Sequence, residues 1–197
     1  MQYYYLFAKD NGENVMLSRQ SHRELNPKSG AGLDEAMLGN DAIVFSVQAG
    51  EDYGYDQYDP DYEGAPEALN LNQRMLDYYE HDSLMSERLL KAIGQREEIQ
   101  TFPVRLDNSF NDEPLTTNYC FVNITKSFDC EDIAHSDSPA VIDDPSKLVV
   151  DESKTGHSNI FRLRPFVSTI VVSEDIATAI NRGSFNGVVA YPLPHPG

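Results

Sequence analysis

Apolar positions along the chain alternate in short, β-like runs at both ends, with helical spacing in the middle and in one short stretch before the last strand. Tyr3 to Ala8 is aromatic and β-prone and predicts a first strand. Asp10-Asn11-Gly12 is a turn signal, and Val15 to Leu17 reads as a return strand. His22 to Gly32 is polar, carries Asn26-Pro27 and Ser29-Gly30, and reads as loop. Ala42 to Val47 predicts a buried strand.

Two helices are expected next. Ala68, Leu71, Met75 and Tyr79 recur at near-helical spacing, as do Met85, Leu89 and Ile93. Asp82 or Ser83 would cap the second, and Gly94 lies near its end. From Gln100 the pattern turns β-rich: Phe102 to Leu106, Tyr119 to Ile124, Lys147 to Val150, Ile160 to Leu163 and Val167 to Val172 are strand candidates. Ser173-Glu174-Asp175 opens a short helix, with a hydroxyl to cap it and two acids suited to its positive end. Gly183 closes it. Val188 to Tyr191 predicts a last strand, before a proline-rich tail (residues 192–197) unsuited to regular pairing.

Strands and helices do not alternate regularly, which argues against a doubly wound parallel sheet. The expected architecture is a single α+β domain over residues 1–197: mostly antiparallel sheet with two or three helices packed on it. A chain of 197 residues with 40% hydrophobic residues is long enough to bury a substantial core.

Charge changes the picture. There are 32 acidic residues against 15 Lys and Arg, a net charge of −17. Such a surface repels nucleic acid and anionic membranes and speeds capture of cationic partners. The acids are not spread evenly. No Lys or Arg occurs in the 45 residues between Lys28 and Arg74. Within that run, Glu51 to Glu63 holds six acids and four tyrosines. Asp52, Asp56, Asp59, Asp61 and Glu63 with Tyr53, Tyr55, Tyr58 and Tyr62 are the candidate partner-binding residues of an acidic, Tyr-rich loop (51–66). Carboxylates would meet a Lys/Arg-rich surface, and tyrosine supplies rigid amphipathic contact area. The alternative is that these tyrosines cover the domain's own core.

Candidate chemistry is thin. No H-E-x-x-H pair, zinc pattern, G-x-S-x-G elbow, P-loop or G-x-G-x-x-G occurs. Asp59, Asp61, Glu63 and Gly64 echo the start of a calcium loop, but its closing position falls on Asn70 and Pro60 and Pro66 interrupt it. Cys130 lies between Asp129 and Glu131, a setting that disfavours a thiolate. A turn near Thr125 would place Cys120 and Cys130 on paired strands, where a disulfide is conceivable, though a reducing cytoplasm favours two thiols. The N-terminus has no signal-peptide pattern and no stretch approaches the ~18 apolar residues of a membrane span, so a soluble cytoplasmic protein is expected.

Two stretches bear a family resemblance. One is Tyr119-Cys-Phe-Val-Asn-Ile124, continuing to Phe128-Asp129-Cys-Glu131. The other runs from Ile160-Phe-Arg-Leu163 through Ile170-Val-Val-Ser-Glu174 and Ile180 to Asn186-Gly-Val188. Together they resemble a bacterial immunity-protein family of polymorphic toxin systems, first catalogued as a domain of unknown function and later named from a myxobacterial immunity protein. The likeness covers roughly the last 90 residues and the N-terminal Tyr-rich strand. It implies a non-enzymatic cytoplasmic antidote, without catalytic residue, metal or cofactor, that binds a cognate toxin delivered by a contact-dependent, type VI-like system. Two other classes stand beside it: a metal-dependent hydrolase using the Asp/Glu cluster, and a structural scaffold subunit.

Overall fold

The computed structural model describes residues 1–9, 15–19, 43–49, 75–109, 114–115, 118–136, 145–164 and 169–194. Within them the chain forms two sheets. The first has strand order β11-β1-β10-β9-β8, from Tyr3–Ala8 (β1), Ser127–Phe128 (β8), Ile160–Leu163 (β9), Ile170–Ser173 (β10) and Val188–Pro192 (β11). The second has order β2-β3-β6-β7-β5-β4, from Val15–Arg19 (β2), Ile43–Ala49 (β3), Tyr78–Tyr79 (β4), Leu84–Ser86 (β5), Ile99–Asn108 (β6) and Tyr119–Ile124 (β7). Pairing is antiparallel except for β3 with β6 and β8 with β9. Two α-helices, Glu87–Ile93 (α1) and Glu174–Arg182 (α2), pack against the sheets and each other. The α+β class with mostly antiparallel sheets is therefore as the sequence predicts.

Alternation along the strands builds three apolar clusters. One face of β1, β9 and β10 (Leu6, Ile160, Val172) meets one face of β7 (Val122, Ile124) and the inner sides of both helices (Leu89, Ile93, Ile176, Ile180). The opposite face of the second sheet buries Ile43, Phe45, Val47, Phe102, Leu106 and Phe121. The opposite face of the first sheet buries Tyr3, Phe161, Leu163 and Val171 under Cys130, Leu148, Val150 and Leu193. Period-2 side-chain geometry explains why adjacent residues of one strand serve different cores.

Several local expectations change. Tyr79 lies in a strand, not a helix, and Met75 precedes it outside any helix or strand; Ala68 and Leu71 lie outside the described residues. The second helix starts at Glu87, because Ser83 turns the β4–β5 hairpin at φ +53° and Met85 pairs in β5. Its cap is Ser86, whose side chain accepts from Leu89 N. Lys147 to Val150 is not a strand: a 3-10 turn at Pro145–Lys147 leads to an isolated bridge between Val150 and Glu131. Ser173 occupies the N-cap position of α2, yet its hydroxyl goes to the Asp175 carboxylate. Cys120 and Cys130 are not on paired strands. β7 pairs with β5 and β6, while the chain crosses after Ile124 to the other sheet, where β8 joins β9; both thiols are free.

Pro192 ends β11 paired with Tyr4, although the tail was expected not to pair. The hydrogen bonds explain it. Leu193 N donates to Tyr3 O, so residues of that parity face β1 and Pro192 faces outward, where a missing N–H breaks no bond. Ala190 also faces outward, and the Asn181 side chain both donates to its carbonyl (2.8 Å) and accepts from its N–H (2.9 Å). A carboxamide and a proline thus close this sheet edge against strand addition.

Candidate partner-binding surface

The predicted contact residues Asp52, Tyr53, Tyr55, Asp56, Tyr58, Asp59, Asp61, Tyr62 and Glu63 lie outside the described residues. What the structure places are the two ends of the segment that carries them. On one side Val47, and on the other Met75, are buried in the same apolar cluster on the second sheet.

Beyond Met75 the chain is held by a buried carboxylate. Asp77 is 2% exposed. Its Oδ1 accepts from the Ser86 hydroxyl and from Arg88 Nε (2.6 Å), and its Oδ2 from Arg88 Nη2 and Asn186 N (2.6 Å). The bidentate bond to Asp77 raises the Arg88 pKa, and the guanidinium lies 5.3 Å from the centre of the Phe185 ring. Gly187, at φ +70°, closes the same corner; a Cβ there would run into the Leu76 side chain. Sequence reasoning missed Asp77. Its partners come from two other stretches of chain, Ser86 with Arg88 and Asn186, and no local spacing brings them together.

The charge divides sharply between the described fold and the rest. Of the 32 acidic residues 18 lie outside the described residues, against 3 of the 15 Lys and Arg. The described residues, with 14 acids and 12 bases, are near neutral. Most of the net −17 thus belongs to residues outside the described ones.

Burial, then the neighbouring Asp129 charge, pushes the Cys130 thiol up to about 12; burial also raises Cys120. His135 Nδ1 meets Asp132 Oδ2 at 2.7 Å, but nearby Ser136 donates to the Asp132 carbonyl and accepts from Val149 N. That serine therefore braces a turn. Among the described residues, no three His, Cys, Asp or Glu side chains converge as a metal site. No described helix is long and apolar enough to cross a membrane.

The first sheet also carries an aromatic patch. Tyr5 and Tyr191 are cross-strand partners with ring centres 5.7 Å apart, and Phe7 meets Tyr191 edge-on at 5.9 Å. Phe7 and Tyr191 are 44% and 41% exposed.

Buried polar groups hold turns, the described residues are near neutral in charge, and Phe7 and Tyr191 face solvent. The sequence matches the model of an immunity protein family, Imm11, over residues 9–193, and the chain belongs to that family. Membership suggests an immunity function and a non-enzymatic role. No curated protein matches the chain.

Proposed function

We propose that this protein is a cytoplasmic antidote that binds a cognate bacterial toxin, delivered by a contact-dependent, type VI-like system, and neutralises it by covering its surface. The observation that carries this reading is the family match over residues 9–193. The charge distribution supports a cationic contact surface on the toxin. Asp56, Asp59, Asp61 and Glu63, interleaved with Tyr55, Tyr58 and Tyr62, supply carboxylates and aromatic area in one stretch. Like charges keep nucleic acid and anionic membranes away.

The test replaces Asp56, Asp59 and Asp61 by Asn and Glu63 by Gln. Association with the toxin encoded beside the gene is then followed at about 50 mM and about 500 mM salt, on either side of the regime where the screening length falls below about 10 Å. Association of the natural chain is expected to slow by about 10–100-fold at high salt, with the variant already slow at low salt. Rates independent of both salt and substitution would remove the electrostatic contact.

A further inference from the structure

Among the described residues, the far face of the first sheet is covered along only part of its length. Over Tyr3, Phe161, Leu163 and Val171 the chain lays Cys130, Leu148, Val150 and Leu193. At the other end, Phe7 and Tyr191 remain exposed, with Tyr5 beneath Tyr191 and Val189 opposite Phe7. They are two of four large apolar residues exposed among the described residues and, unlike isolated Ile133, they touch. Single exposed apolar groups need no explanation; contiguous aromatic ones mark contact sites. The neighbouring sheet edge is closed by Asn181 and Pro192, so a partner here meets the face and not the strand backbone.

Resting on the antidote reading above, we infer that Tyr5, Phe7 and Tyr191 form the apolar anchor of the toxin contact, seated in an apolar depression rimmed by Lys and Arg. Charge selects this occupant. The chain carries a net charge of −17. That field repels a second copy of the chain and draws a cationic protein. Three aromatic side chains are also far short of the roughly 800 Å² per partner of a stable dimer, whereas clustered aromatics are the usual centre of a larger contact.

The test is the pair Phe7→Thr and Tyr191→Thr, which keeps β-branched residues in both strands. Capture of the toxin encoded beside the gene is measured by surface binding, with melting temperature and light scattering in parallel. Each single variant is expected to bind about tenfold more weakly and the double variant about 100-fold, mainly through faster dissociation, with melting unchanged. The single variants carry the test if the double one fails to fold. Natural chain and folded variants binding equally tightly would overturn the anchor while leaving the antidote reading intact. No capture by the natural chain would overturn both. A dimer that the substitutions dissolve would assign the patch to a second copy and overturn the inference.

Discussion

Replacing Arg162 by alanine is expected to cost about 3–5 kcal/mol of folding stability. Arg162 sits in the middle of β9, 1% exposed, and shares the parity of Ile160, so it points into the core between the two sheets. Its Nη2 donates to Ser83 Oγ at 3.3 Å, and burial pulls its pKa down, opposed in part by the neighbouring Tyr78 and Glu80. Ser83 is the residue forced to φ +53° in the β4–β5 turn, and its carbonyl accepts from Val122 N of β7. The guanidinium thus ties the first sheet to a strained turn of the second. Alanine removes that tie and leaves a cavity where a long side chain lay. Arg162→Met keeps the apolar stem and removes the buried charge, so it should lie within about 1.5 kcal/mol of the natural protein. Denaturant unfolding separates these outcomes: equal losses for Ala and Met would place the stability in the charge, not the packing.

Asp77→Ala is expected to cost about 3 kcal/mol. Arg88 is more than half exposed and regains water when its partner is lost, so the ion pair itself contributes little of this. The cost comes from the Asn186 N–H and the Ser86 hydroxyl, which lose a carboxylate at a buried site. A chain of this size should melt about 6–12 °C lower. Asp77→Asn, which keeps oxygen and shape at one position, should fall between. Since Asp77 follows the anchor Met75, proteolysis near residues 50–74 should rise in the alanine variant before global melting. An unchanged melting temperature would show that the three segments meeting at Asp77 are held by something else.

These two residues mark where sequence reading stops. Tyr119 to Ile124 and Ile160 to Leu163 were legible with the same boundaries as observed, because β-branched and aromatic residues there have no competing local structure. Met75 and Tyr79 were misread because a spacing of four fits both a helix stripe and alternate strand positions in a short run. Arg162 looks like a solvated residue in any local pattern, and Asp77 gathers partners up to 109 residues away. The parallel register of β3 on β6 is likewise non-local. Of the candidate surface, the anionic segment was legible as a base-free run of sequence. The Phe7–Tyr191 patch was not, because its members lie at opposite ends of the chain and meet only through the β1–β11 register.

The most direct measurement is a titration of this protein into the toxin encoded beside its gene, following the toxin's own harmful activity. The antidote reading predicts a linear fall to zero at about one equivalent, as expected for tight stoichiometric capture. Full toxin activity at a many-fold excess of the protein would contradict it.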